Sequence, residues 1–389
     1  MEEVFDTEYK KELTVETAYQ LQNVSLSDVT HLRVYYIANP QFPSYFSSLN
    51  RLKNLHVWKC ELDKVPLEIC QLSNLEILHI TCTTHLKVLP LEIVNLVNLK
   101  ELHLDHNQIS DISMLPQLPN LEFLTMFGNQ VEELPKGFIK LKYLSMLMNK
   151  IKNVQSLIYS VDLTYINFYG NQIEDITPIC FLVNLEKITL NENQIKELPK
   201  EIGNLVKLEE MSLCDNQIAT IPEEMVKLVS LKKLWINKNQ IVNADILFQI
   251  TSLELLCIGG NQIEFIPETL EKMDKLEFFS LSGNMIKVIT RGMLQKIRHN
   301  VYGNIGIDIS GNQISDMIPV INYLEKEHNQ EEDKLSWISL SNNLIEQIPV
   351  EIMKFKGIQF SLKENKIKEL SKELSQGLQD MIEKKMLFI

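Results

Sequence analysis

Apolar residues along the chain repeat as one short phrase, L-x-x-L-x-L-x-x-N-x-I-x-x-I-P, followed by an amphipathic run that ends at the next leucine. Leu208, Met211, Leu213, Asn216, Ile218, Ile221 and Pro222 spell one copy. Fifteen copies can be laid down, beginning at Val29, Leu52, Leu75, Leu99, Leu121, Leu141, Leu163, Leu185, Leu208, Leu231, Leu253, Leu276, Asn304, Leu335 and Gly357. Eleven of the fourteen spacings are 22 to 24 residues; the exceptions are 20 at Leu121–Leu141, 28 at Leu276–Asn304 and 31 at Asn304–Leu335, and the two long ones are expected to hold insertions on the outer side. Alternation at L-x-L sends one set of side chains inward and the next outward, which predicts a short strand in every copy. Stacked copies then form a parallel sheet with strands about 4.8 Å apart, so fifteen rungs run for on the order of 70 Å.

The asparagine of the phrase is expected to be buried where the chain leaves the strand, because its amide can both donate to and accept from backbone groups of neighbouring coils. Twelve copies carry it, from Asn107 through Asn129, Asn149, Asn171, Asn193, Asn216, Asn239, Asn261, Asn284, Asn312 and Asn343 to Asn365. The first three copies have Ile37, Cys60 and Thr83 instead, which predicts a less regular N-terminal end. Gly128, Gly170, Gly260, Gly283 and Gly311 precede the asparagine directly, where a tight turn explains them. A coil buries its apolar edges only against its neighbours, so the end coils need covers. Residues 1–28, with a helical-looking stretch from Val15 to Leu21, and residues 371–389, with Leu374, Leu378, Met381 and Ile382 at helical spacing, are read as caps on a repeat array of residues 29–370.

With this phrase the chain resembles the leucine-rich repeat family over roughly residues 29 to 370. Segments such as Ile221–Met225 look like the 23-residue class of intracellular signalling scaffolds, and segments such as Asn107–Ile112 and Asn171–Ile176 are similar to the 22-residue class of phosphatase-regulatory and internalin-type proteins. The resemblance implies an α/β fold: a right-handed solenoid, or horseshoe, with a concave parallel sheet and convex helical or 3-10 segments. It further implies a non-catalytic scaffold with a protein partner, such as a phosphatase catalytic subunit or a small-GTPase pathway component. The alternative is a surface adhesion protein of the internalin kind.

Composition narrows this. A formal net charge of −13 opposes nonspecific attraction to nucleic acid or to an anionic membrane face. No stretch approaches 18 consecutive apolar residues, and the opening residues lack the pattern of an export signal. The six cysteines contain no C-x-x-C pair and fit a reducing compartment. The chain is therefore expected to be cytoplasmic, or secreted only if an export signal lies outside this sequence. No phosphate-loop, nucleophile-elbow, zinc-protease or EF-hand pattern occurs, so neither catalysis nor a cofactor has support in the sequence. The sequon at Asn23–Ser25 is weak, and the insertion at Glu325–Lys334 reads as a solvated bulge, with an acidic docking loop as the lesser alternative.

The third, fifth and seventh positions of each copy face the hollow. In copies five to seven the third positions are Phe123, Tyr143 and Tyr165 and the seventh are Phe127, Leu147 and Tyr169. No packing within a coil requires six large apolar or aromatic side chains there, so they are assigned as a patch for a protein partner, with a neighbouring insertion or a second copy of the chain as the other candidate occupants. Tyr35, Trp58 and Trp235 are further anchors, and Trp337 lies beyond them. The fifth positions of copies two to four form a histidine column, His56, His79 and His103, with Asp105 and His106 beside the last. Imidazole and carboxylate suit zinc or copper. Three ligands in line, with the outer pair about 10 Å apart, make a strained site, so the column is read as a polar strip whose mutual repulsion lowers its pKa values.

Overall fold

The computed structural model describes residues 12–17, 20, 28–38, 42, 44–83, 85–296, 299–301, 304–327, 335–355, 357–368 and 372–389. The sequon at Asn23–Ser25 and residues 328–334 of the acidic insertion lie outside these residues. Two compact units divide the chain, Met1–Gln194 and Ile195–Ile389.

The first unit is a run of parallel strands in chain order: Glu12–Val15 (β1), His31–Tyr35 (β2), Asn54–Trp58 (β3), Ile77–Thr81 (β4), Glu101–His103 (β5), Phe123–Thr125 (β6), Tyr143–Ser145 (β7), Tyr165–Asn167 (β8) and Lys187–Thr189 (β9). Each pairs with the next so that the fourth residue of one copy meets the fourth of its neighbour, as in Leu55↔Leu78, Leu102↔Leu124 and Leu144↔Ile166. These side chains are fully buried and form the inner face of the sheet. Short 3-10 turns carry the chain back, for example Leu91–Asn95, Gln155–Tyr159 and Thr177–Phe181. Where a copy keeps its proline, as at Pro90, the ring's fixed φ of −69° starts the turn at a position whose N–H has no partner to lose.

The second unit continues the same construction with Glu210–Ser212 (β10), Lys233–Trp235 (β11), Leu255–Cys257 (β12) and Phe278–Ser280 (β13), parallel from β10 to β13. Its C-terminal part holds His299–Val301 (β14), Asn304–Asp308 (β15), Leu335–Ser339 (β16), Gln359–Ser361 (β17) and Leu387–Phe388 (β18). β14 runs antiparallel to β15, and the later pairs are parallel. The long spacings hold helices, Arg291–Lys296 and Ile318–Glu327. Glu325 to Glu327, expected in a bulge, instead end the second of these, and Lys354 donates to Glu325 at 2.7 Å.

Each ladder asparagine joins two coils. The Asn171 amide donates to Met146 O at 2.9 Å in the preceding coil and to Phe168 O at 3.1 Å in its own, while its oxygen accepts the Ile151 N–H at 3.0 Å. The residue just before the ladder position is left-handed in every copy, from Tyr36 (φ 57°) and Lys59 (φ 50°) through Gly170 (φ 66°) to Glu364 (φ 57°). The five glycines at that position are all left-handed, as expected.

The N-terminal copies depart from the sequence reading. Among the described residues their strands and turns are regular: β2, β3 and β4 are five residues long where β5 to β9 are three, and the left-handed turn persists without asparagine. In the second and third copies other hydrogen bonds take the place of the asparagine's. The Cys60 thiol donates to Val34 O at 3.5 Å, and the Thr83 N–H and hydroxyl both donate to Asn107 Oδ1. Val15 likewise closes a strand rather than opening a helix, because Glu12–Val15 pairs with His31–Val34 and supplies another rung. At the other end a helix spans Lys372–Glu383 with Leu378 and Met381 buried and Ile382 exposed, and β18 then adds a strand beside β17.

Candidate protein-binding face

Residues three, five and seven of each copy point away from the core. In the first unit the strand register pairs Phe123 with Tyr143 and Tyr143 with Tyr165. Strand spacing brings register-paired planar side chains close enough to stack. The rings do so face to face, at 3.9 Å and 9° for Phe123–Tyr143 and 4.1 Å and 3° for Tyr143–Tyr165. All six patch residues, Phe123, Phe127, Tyr143, Leu147, Tyr165 and Tyr169, are half-buried. Burial, and then the neighbouring Tyr165 hydroxyl, push the Tyr143 phenol above its ordinary pKa. Phe127 stands outside the stack, 4.3 Å from His106 and at 64° to it, and the Tyr169 hydroxyl donates to Glu192.

The histidine column is a second stack. His56 and His79 lie 4.9 Å apart and His79 and His103 4.0 Å apart, the latter pair within 5° of parallel. Lone pairs of parallel imidazoles lie in parallel planes, so the two rings cannot aim at one ion about 2.1 Å from each. Asp105 is committed elsewhere: it accepts the Thr125 hydroxyl at 2.8 Å and the Phe127 N–H at 2.7 Å. Because that hydroxyl gives its proton to a carboxylate, its contact with His103 Nδ1 at 3.0 Å has the imidazole donating, which leaves Nε2 toward Glu101 at 3.7 Å. Among the described residues no group of three or more His, Cys, Asp or Glu is placed to hold a metal ion. The histidines do have lowered pKa values, but the larger cause is burial rather than the repulsion foreseen from sequence. Burial and then His103 and His56 push His79 down to about 3, and burial and then Arg33 and His103 lower His56. In His103 burial outweighs the opposing pull of Asp105 and Glu101.

Tyr35 and Trp58 meet edge to face at 5.6 Å, and Tyr35 also sits 5.4 Å from His56. Trp235 is half-buried in the second unit, paired with Ser212 and Cys257. Trp337 covers Gly306 of the adjacent strand, where any Cβ would overlap the indole. Two residues passed over in the sequence belong with Tyr35 and Trp58. Tyr36 lies 5.0 Å from Trp58, and the Lys59 ammonium is 4.5 Å above the Trp58 ring. Both occupy the left-handed position before the ladder residue, which the repeat phrase treats as framework.

A family profile described as a leucine-rich repeat region matches residues 156–298, and one described as two copies of leucine-rich repeats matches residues 97–136. The structure of a leucine-rich repeat protein of Leptospira interrogans superposes with a TM-score of 0.78 and 25% identity, covering 96% of this chain and 98% of that one. The chain is built of leucine-rich repeats and has their fold. The leucine-rich repeat fold is shared with an internalin of Listeria monocytogenes, InlF, at a TM-score of 0.63 and 23% identity over 90% of this chain and 93% of that one. It is shared also with the ectodomain of the Arabidopsis thaliana receptor kinase GASSHO1/SCHENGEN3, at 0.67 and 20% over 97% of this chain and 49% of that one. No curated protein sequence matches. Leucine-rich repeat proteins are in general interaction modules, and among the described residues no helix is long and apolar enough to cross a membrane.

Proposed function

We propose that this leucine-rich repeat protein is a non-catalytic scaffold that captures a protein partner on the sheet face turned away from its core, centred on Phe123, Tyr143 and Tyr165. The observation that carries this is the stack itself. Three rings at 3.9 and 4.1 Å spend their faces on one another and present a pre-ordered, half-buried edge that no coil needs for its own packing. Rigid aromatic side chains lose little conformational entropy on contact and are enriched at interface centres. Phe127, Leu147 and Tyr169 widen the patch, and Tyr35, Trp58 and Trp235 are further contacts. Residues 1–28 and 371–389 serve as covers for the array. All six cysteines are free thiols, which supports a cytoplasmic, reducing setting.

The test replaces Tyr143, Tyr165 and Tyr169 with Ala together and compares proximity labelling and pull-down from the source cell with the unaltered chain. The expected result is loss of a defined set of partners with circular dichroism and melting nearly unchanged; full retention of that set rejects the assignment. Sedimentation of the purified protein separates a second copy of the chain from a foreign partner as the occupant.

A further inference from the structure

We propose that Trp58 and Tyr36 form a binding site for a quaternary ammonium group, and that Lys59 plugs it in the free protein. The site lies in copies one and two and does not rest on the ring stack of copies five to seven.

Two adjacent coils build it. The β2–β3 register sets Tyr35 beside Trp58, and the next residue of each coil, Tyr36 or Lys59, takes the left-handed turn. Tyr36 meets Trp58 at 5.0 Å and 69°, Tyr35 meets Trp58 at 5.6 Å and 74°, and Tyr35 meets Tyr36 at 6.4 Å and 79°. Three mutually steep rings make a corner rather than a stack. The Lys59 ammonium occupies it, 4.5 Å from the Trp58 centroid and 5.7 Å from that of Tyr36. Among the described residues the other ammonium–ring contacts, Lys136 on Tyr159 at 5.9 Å and Lys363 on Phe388 at 5.5 Å, each use a single ring. Two ring faces therefore converge on one cation here, and the position of that cation marks the site. The third coil places Thr81 and Cys82 at the equivalent positions, short side chains that leave room where a further ring would stand. Tyr36 is 57% exposed, so the corner opens to solvent.

The chemistry favours an alkylated cation over the plug. A primary ammonium is strongly hydrated and gives up that water reluctantly, whereas a quaternary ammonium is weakly hydrated and polarisable, so aromatic faces distinguish them. The net charge of −13 draws cations toward the protein in either case. Two sources carry the group: a small trimethylalkylammonium compound, or a trimethylated lysine in a protein segment.

The experiment titrates the full chain with tetramethylammonium chloride, following the Trp58 indole resonances by NMR, and repeats the titration with a trimethyllysine peptide and its unmethylated counterpart. The unaltered chain is expected to show a saturable shift with the methylated probes. Lys59→Ala is expected to bind them roughly two- to fivefold more tightly, the range of an exposed cation–ring contact. Trp58→Ala, followed on the Tyr36 ring resonances instead, is expected to abolish the response. Tyr36→Ala, at an exposed position, weakens binding without threatening the core if Trp58→Ala fails to fold. A peptide that binds far more tightly than tetramethylammonium points to methylated lysine, and equal binding to the small ion. No saturable shift in Lys59→Ala, or an affinity there no tighter than in the unaltered chain, overturns the proposal.

Discussion

The imidazole of His103 lies 5.1 Å from the ring of Phe123, tilted by 42°, although the strand register pairs His103 with Thr125. That diagonal contact joins two columns lying two residues apart along the strands. His56, His79, His103, Phe123, Tyr143 and Tyr165 thereby form one staircase of six rings across successive coils, neutral and nitrogen-bearing at one end and apolar to phenolic at the other.

The pH response of that staircase has a definite sign. Burial holds the His79 pKa near 3, below its ordinary value near 6.5, so at intermediate pH the unfolded chain binds more protons than the folded one. The stability due to neutral His79 is complete above about pH 6.5 and is lost as pH falls toward 3. His103 and His56 add to the effect of burial in opposing its protonation. Thermal melts of the unaltered chain and of His79→Gln, taken between about pH 7 and pH 4, should show the steeper fall in the unaltered chain, by several degrees. Parallel curves would show that His79 does not titrate as its burial requires.

Asp105 acts on His103 in the opposite direction. Its charge raises the His103 pKa against burial, and Thr125 links the two side chains. Asp105→Asn removes that charge and is expected to lower the imidazole pKa of His103 further in an NMR titration. An upward shift would contradict the geometry.

Loss of a ladder asparagine should be costly. Asn171→Ala leaves the Ile151 N–H and the Met146 and Phe168 carbonyls without their side-chain partner in a buried position. A destabilisation of about 3 kcal/mol is expected, since orphaned buried polar groups cost roughly 1–3 kcal/mol each. The shift in the urea midpoint measures it; a change below about 1 kcal/mol would mean that water replaces the amide.

Repeat register was the most legible property of the chain, because the L-x-L alternation allows one phase only: a slip of one residue would turn Leu144 outward and Tyr143 into the core. The placement of Phe123 beside Tyr143 and Tyr165 follows from that phase. The staircase does not, because the link from His103 to Phe123 depends on side-chain direction across a diagonal, and a table of positions keeps columns three and five apart. The N-terminal copies were misread for a related reason. A missing asparagine reads as a missing set of hydrogen bonds between coils, whereas Cys60 and Thr83 supply other donors beside the same left-handed backbone. Tyr36 and Lys59 were missed because a turn position carries no expectation of chemistry. The helix at Ile318–Glu327 falls where the repeat phrase lapses, so nothing in the period announced it.

The asparagine ladder has a consequence for how such a chain can change over generations. Each amide serves its own coil and the one before it and no other, so excising or duplicating one whole coil would leave every remaining amide facing an equivalent backbone. Length is thus a parameter that recombination can alter in single steps, while the surface patches carried on particular coils are gained, lost or shifted along with them.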